Sequence, residues 1–424
     1  MAEERKKVLI VGGGFGGLNC AKRLARVKNA DILLIDKRNH HLFQPLLYQV
    51  AMAGLSPADI ATPIRSVFRR RPNVRVLMAE VRQVHPSEKT VSTDVGEFNF
   101  DHLVVACGAE HSYFGNEQWE DYAPGLKTLE QATEIRRRVL IAFEKAEAQP
   151  ARQPLRQWLT FIVIGGGPTG VELAGALGEI TRYTLSQDFR NIDPSAARVI
   201  LVEAGPRVLA AFDESLSRRA MRDLENLGVQ IWTNCRVSDV NTEGVKIGEE
   251  WIQAKTVIWA AGVKPSSLNV QLGAPTDKQG RVIVGHDCSL PDHPNIFVIG
   301  DQAHFKDEQG KPLPGLAPVA LQQGRFVADQ IARDYTGQAR ETFHYKDKGQ
   351  MATIGRRKAV AQVGSLKFAG RFAWYLWLLI HIYFLIGFKN RVFVLWQWFY
   401  SYVTYKRGAR LITERDWHSQ IKML

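Results

Sequence analysis

Twice along the chain an apolar run leads straight into a glycine-rich turn: VLIVGGGFGGLNC at 8–20 and FIVIGGGPTGVELAG at 161–175. In the first, Gly12-x-Gly14-x-x-Gly17 is followed by LNCAKRLARV, whose apolar positions recur at helical spacing, so the stretch reads as strand, tight turn, helix. In that geometry the first glycine permits the turn, the second lets a pyrophosphate approach the backbone, and the third allows close strand–helix packing. The free N–H groups and positive dipole end of the helix then face the phosphates. The second stretch repeats the pattern with Gly165-x-Gly167-x-x-Gly170. Two such units predict an α/β protein with two Rossmann-like dinucleotide-binding domains.

Each loop has an acid downstream. The run DILLID ends in Asp36, about 24 residues after Gly12, near the usual offset for a carboxylate that bonds a ribose. The run in VILVEA closes on Glu203, some 38 residues after Gly165, and the polar stretch TRYTLSQDFRNIDPSAAR at 181–198 accounts for the longer interval. A carboxylate at that strand end bonds the adenosine ribose of NADH and repels the extra phosphate of NADPH, so NADH is the expected visitor. Three later strands, LVVACGA (103–109), VIWAAGV (257–263) and HPNIFVIGDQA (293–303), end in small residues, as expected where a strand end meets a bound nucleotide.

Composition narrows the partners. A chain of 424 residues, 45% hydrophobic and 23% charged, is long enough for two or three packed domains. Its formal charge of +12 invites nucleic acid, but the Lys and Arg are scattered and no nucleic-acid-binding signature accompanies them, so no nucleic acid is expected. Cys20, Cys107, Cys235 and Cys288 lie far apart and disfavour a disulfide framework, a zinc site or a local redox dithiol. MAEERKK runs directly into the first strand with no export signal, which predicts a cytoplasmic location.

The two loops with ACGA, AAGV and IGD resemble the two-dinucleotide-binding-domain flavoproteins, in which the first site holds FAD and the second NAD(P)H. HHLFQPLLYQVAMAGLSPADIATPIR (40–65), FGN (114–116), PTGVELAG (168–175), IWAAGV (258–263) and LPGLAPVALQQGRFVA (313–328) narrow the resemblance to the type II NADH:quinone oxidoreductases, single-subunit and non-pumping. It runs from about residue 5 to at least 410. The resemblance implies that NADH gives a hydride to bound FAD and that two electrons pass on to a membrane quinone. It places FAD on Gly12, Gly13, Gly14, Phe15, Gly16 and Gly17, with Asp36 and Lys37 at the ribose, Val81 near the adenine and Asp301, beside Gly300, at the ribityl chain. Ala317 and Pro318 would lie against the isoalloxazine, although many relatives carry Ala-Gln there. NADH falls to Gly165, Gly167, Gly170, Glu203 and Gly262, and Gln322, Gln323 and Lys367 become quinone-site candidates, the last with a register that admits Leu366 instead.

Glu172 follows Gly170 by two residues. Read from the residues alone it is a first-turn carboxylate, where the helix dipole favours the charged form and lowers the pKa. The resemblance instead sets it beside nicotinamide and flavin, as a catalytic residue in hydride transfer or quinone protonation.

The composition shifts sharply in RFAWYLWLLIHIYFLIGFKNRVFVLWQWFYSYVTYKRGAR, at 371–410. Its runs, Phe372 to Phe388 and Val392 to Tyr405, are short for the roughly 20 apolar residues of a span, and the second carries Gln397 and Ser401. A spanning hairpin, a core or dimer contact, and an interfacial helix pair are the competing readings. The interfacial one best suits the Trp and Tyr density and the basic Lys389, Arg391, Lys406, Arg407 and Arg410. The expected architecture is therefore an FAD domain at 1–155 and 266–340, an NADH domain at 156–265 and a C-terminal helical membrane-attachment module at 341–424. The protein would be peripheral on the cytoplasmic face of the cell membrane, with the lipid surface and a membrane quinone as partners and a homodimer left open. His381 is assigned no role, and His40 and His41 lack further ligands at metal spacing, so no metal is expected. Rival readings are a sulfide:quinone oxidoreductase, which needs cysteines at the flavin, a non-catalytic NADH sensor, and a ferredoxin-type reductase, for which the aromatic tail has no use.

Overall fold

A computed structural model describes residues 5–149, 155–186, 188–404 and 408–413. Contacts divide the chain into two compact units, one drawn from 1–42, 61–110 and 263–348 and the other from 43–60, 111–262 and 349–424.

The first unit is built on a five-stranded parallel sheet in the order 296–298, 102–105, 6–11, 30–36, 74–78. Its central strands carry continuous apolar runs over 8–11, 32–35 and 103–105 because both faces are covered there, whereas the edge strand 74–78 leaves Arg75 and Met78 exposed. Leu9, Val11, Leu33, Ile35, Leu103, Val105, Ile296 and Val298 meet in one buried cluster. Each such side chain contributes about 1.5–3 kcal/mol on burial, enough to set the strand register without help from propensity. Helices Phe15–Leu24 and Ala317–Tyr335 pack together where a Cβ on Gly324 would come within 2.2 Å of the Gly16 carbonyl, a crossing open only to glycine.

The second unit carries a four-stranded parallel sheet in the order 229–232, 198–202, 160–164, 256–259. By chain order this is third, second, first, fourth, so a crevice opens at the carboxyl ends between the first and fourth strands. Residues 111–149, expected with the first domain, pack here. The helix Leu129–Glu147, capped where Thr128 Oγ1 accepts from Gln131 N (3.2 Å), sets Phe143 against Phe161 with ring centroids 5.2 Å apart. Tyr113 and Trp119 lie against Trp259. The π-helical turn Ile180–Thr184 prolongs the helix Pro168–Glu179, and that extension takes up part of the long interval before Glu203.

An antiparallel sheet, 350–355, 358–363 and 366–370, leads into helices Arg371–Phe384 and Phe388–Thr404 of the same unit. The first buries Ala373, Trp377 and His381 at i, i+4, i+8 and exposes Phe372, Tyr375, Leu379 and Tyr383. The second buries Val394 and exposes Phe388, Val392, Trp396, Phe399 and Val403 along one stripe. Both helices thus turn a large apolar face outward, the reverse of an ordinary surface helix. No helix among the described residues is long and apolar enough to cross a membrane. Tyr405, the expected end of the second run, and Lys406 and Arg407 of the expected basic flank lie outside the described residues.

Candidate active site

The first glycine loop is held from three sides within its unit. Gly12 takes φ +101°, and a Cβ there would lie 2.4 Å from the Ala106 carbonyl oxygen. The Gly13 N–H donates to Asp36 Oδ2 (2.6 Å), whose other oxygen accepts from Arg38 N (2.7 Å). A Cβ on Gly17 would come within 1.9 Å of the Gly12 oxygen, so the turn closes only on glycine. Above Gly14 there is open space, and the helix that starts beyond it has no side-chain cap. Uncapped N–H groups facing open space, with a carboxylate at the neighbouring strand end, fit an adenosine pyrophosphate such as that of FAD.

His41, weighed from the sequence only as a metal ligand, instead braces the loop. It is 3% exposed, its Nδ1–H donates to the Gly13 carbonyl (2.9 Å), and its ring meets Phe15 edge-on. Burial pushes its pKa down to about 4, so it props the loop as a neutral ring. A second unforeseen device is a buried amide pair: Gln302 Nε2 donates to Asn269 Oδ1 (2.6 Å), while Gln302 Oε1 accepts from Cys107 N. These contacts join residues distant in sequence, and no local pattern announces them.

The remaining first-unit candidates fall into two groups. Gly300 closes on Ala320 and donates its N–H to Gln323 Oε1 (2.8 Å), and Asp301 faces Gly315, all beside the first loop because Gly16 abuts Ile299. Ala317 and Pro318 open the helix Ala317–Tyr335. Lys37, by contrast, forms a half-exposed pair with Glu110 (3.5 Å), and Val81 packs half-buried against the core. The three quinone candidates each have partners within the protein. Gln323 is 1% exposed and spent on Gly300, and Gln322 exchanges two 3.0 Å hydrogen bonds with the Lys346 backbone. Lys367, in the other unit, pairs with Asp213 (2.6 Å).

The second loop repeats the first almost atom for atom. Gly165 takes φ +109°, a Cβ there would lie 2.7 Å from the Ala260 carbonyl carbon and oxygen, and the Gly166 N–H donates to Glu203 Oε2 (2.6 Å). Glu203 Oε1 accepts from Gly205 N (2.6 Å). Gly170 would place a Cβ 1.8 Å from the Gly165 oxygen, and Gly167 faces open space. Gly262, at φ +73°, lies at the adjoining strand end. The donors and the carboxylate again fit a dinucleotide.

Beyond the loop, the helix Pro168–Glu179 carries Glu172 into a cavity of about 110 Å³. Its walls include Tyr48 and Gln49, Thr353 and Arg356 of the 350–358 hairpin, and Trp374, Trp377 and Trp398 of the C-terminal helices. Trp398 Nε1 donates to Gln49 Oε1 (2.7 Å), and Trp377 stacks on His381, whose Nδ1–H donates to the Trp377 carbonyl (2.7 Å). Gly175 lets the helix touch the hairpin strand, since a Cβ there would sit 1.8 Å from the Ile354 oxygen.

The expected dipole effect on Glu172 is overturned. The helix starts at Pro168, which puts Glu172 in its second turn, where the dipole has faded. Desolvation dominates, only a long 3.5 Å contact from Thr353 N opposes it, and the pKa rises to about 8. At neutral pH the carboxyl is mostly protonated, a buried acid able to hold or release a proton.

Comparison with known proteins agrees with this geometry. The family model for pyridine nucleotide-disulphide oxidoreductases matches residues 6–324. The type II NADH:quinone oxidoreductase NdhA of Mycobacterium tuberculosis is 42% identical, with 99% of this chain and 92% of that protein covered. A type II NADH:quinone oxidoreductase of Staphylococcus haemolyticus is 34% identical, with coverage of 88% and 93%. The structure of NDH2 from Plasmodium falciparum in complex with NADH superposes with a TM-score of 0.87 at 21% identity, covering 97% of this chain and all of that one, and so shares the fold. Two glycine loops with matching geometry and relatives matched over nearly their whole length lead to one assignment: the chain belongs to the type II NADH:quinone oxidoreductases.

Proposed function

We propose that the protein oxidises NADH and passes two electrons to a membrane quinone without pumping protons: NADH, H⁺ and quinone become NAD⁺ and quinol. The observation that carries this reading is the helix Pro168–Glu179, which joins two functions within one unit. Its amino end forms the dinucleotide loop, and its flank delivers a protonated carboxyl to a cavity walled by the outward-facing aromatic helices. In this reading Gly12–Gly17, Asp36 and Gly300–Asp301 hold FAD, with Ala317 and Pro318 nearby. Gly165, Gly167, Gly170, Glu203 and Gly262 hold NADH. FAD held at the first loop would supply the two-electron redox chemistry that links NADH to a quinone. Glu172 supplies a proton at the cavity, and Tyr48, Gln49 and the tryptophans form the amphipathic wall for a quinone ring.

In this reading the protein is peripheral on the cytoplasmic face of the membrane, and the apolar stripes of the two C-terminal helices support the contact with lipid. Their Trp and Tyr suit the headgroup region, and each basic neighbour adds about 1 kcal/mol at an anionic surface. A homodimer remains compatible with these faces. The sulfide-oxidising alternative finds no support among the cysteines, which are all unpaired: Cys20 and Cys288 are buried, and burial pushes the Cys107 thiol up to about 12, far from a reactive thiolate.

The test is NADH oxidation by the purified yellow protein with a short-chain quinone, using NADPH and sulfide as control donors. Turnover with NADH well above both controls supports the reading. Nucleotide binding without turnover would favour a sensor, and turnover with sulfide would favour the rival enzyme. For the attachment, W396E with F399E should abolish flotation with anionic vesicles while soluble-quinone activity stays near wild type.

A further inference from the structure

Phe114 is a large aromatic residue left exposed at a nucleotide-binding edge. It is 62% exposed and adopts φ +54°, a left-handed conformation that phenylalanine rarely takes. Its surroundings are firmly built. Tyr113 is buried, with its hydroxyl donating to the Ala123 carbonyl (2.9 Å) and its ring 5.0 Å from that of Trp259. Trp259 Nε1 donates to the Ser112 carbonyl (3.0 Å), and Ser112 N donates to the Gly262 carbonyl (3.3 Å). The Phe114 ring then lies on Gly262: a Cβ at that glycine would be 2.5 Å from Phe114 Cζ. Gly262 follows Ala260 and Ala261, the residues on which Gly165 of the second loop rests. A continuous series of contacts thus runs from the loop through 260–262 to the ring, all within one unit.

The sheet order gives this position a meaning. Glu203 directly follows the strand 198–202 on one side of the loop, and Trp259 ends the strand on the other. A dinucleotide with its pyrophosphate on the loop and its adenosine ribose at Glu203 must extend its other half over the carboxyl end of strand 256–259. We propose that Phe114 is a binding residue for the nicotinamide half of NADH, its outer face covering that half while its inner face rests on Gly262. Exposure, backbone strain and a glycine-only neighbour then share one explanation: the ring is presented for a ligand. This inference rests on the assignment of NADH to the second loop.

The test uses the FAD-loaded enzyme and two ligands, NADH and ADP-ribose, which lacks the nicotinamide. F114N removes the ring and keeps a residue that tolerates the left-handed conformation, and F114W restores an aromatic face. We expect F114N to raise the KM for NADH about tenfold, with the KM for quinone and the inhibition constant of ADP-ribose unchanged, and F114W to recover most of the loss. An unchanged KM for NADH in F114N, or equal weakening of NADH and ADP-ribose, would overturn the proposal. If ADP-ribose fails to compete with NADH in the unmodified enzyme, the underlying loop assignment falls, and the role of Phe114 falls with it.

Discussion

The two glycine loops share their turns, their open central glycines and their carboxylate-to-N–H bonds, yet they are braced differently. In the first, a buried imidazole supports the Gly13 carbonyl, Ile64 presses on Gly13 and the helix Ala317–Tyr335 closes against Gly16. In the second, the equivalent carbonyl of Gly166 is met by the backbone N–H of Leu209 (2.7 Å), and the helix beyond continues toward a cavity. The first loop is therefore clamped by side chains from several segments, as suits a cofactor that stays. The second is held mainly by its own backbone and its acid, as suits a substrate that leaves. In the proposed assignment both loops offer the same phosphate cradle, and the bracing around each separates resident from visitor.

The largest effects should come from breaking each cradle in turn. G17A and G170A each force a methyl within 2 Å of a carbonyl oxygen. G17A should cost the protein its yellow colour, whereas G170A should keep FAD and lose about 100-fold or more in kcat/KM for NADH. Loss of FAD from both variants, measured by absorbance of the purified proteins, would erase the proposed division.

E172Q comes next and separates the second loop's helix from its cavity. Quinone reduction should fall about 100-fold, a typical weight for a lost general acid, with flavin reduction by NADH changed far less. In the unmodified enzyme quinone reduction should decline as pH rises through about 8, and E172Q should flatten that limb. The sign for stability follows from the same shift. The folded pKa lies above the unfolded value, so between about pH 4.5 and 8 the folded state binds the extra proton and stability falls as pH rises. E172Q should consequently melt higher than the parent at pH 9.

Smaller changes sharpen the comparison. E203Q should lower the preference for NADH over NADPH by about tenfold, read from the ratio of kcat/KM values, without touching FAD content. H41F keeps a ring against Phe15 but leaves the Gly13 carbonyl without its donor, at a cost of about 1–3 kcal/mol, and should speed FAD release while leaving the KM for NADH unchanged.

Much of this was legible in the chain because phosphate loops are local. Glycine spacing, the flanking apolar runs and the acids Asp36 and Glu203 lie within a few dozen residues, and the structure brings each loop to its acid by one parallel strand pairing. What depends on tertiary approach was hidden. His41 and Gln302 bond backbone groups far from them in sequence, and the cavity draws on 48–49, 172, 353–356 and 374–402. Glu172 was legible as a residue and misread as an environment, because its proton affinity is set by burial beneath a tail that lies some 200 residues onward. Gln322 and Gln323 show the converse, since polar residues in a suggestive motif turn out to be engaged with backbone.

The most direct test mixes the purified enzyme anaerobically with NADH and then with a soluble quinone, following the flavin band in a stopped-flow instrument. The account predicts that G170A arrests bleaching by NADH, that E172Q bleaches normally but recovers its colour slowly with quinone, and that both proteins start with full FAD. Normal recovery in E172Q, or rapid bleaching in G170A, would contradict it.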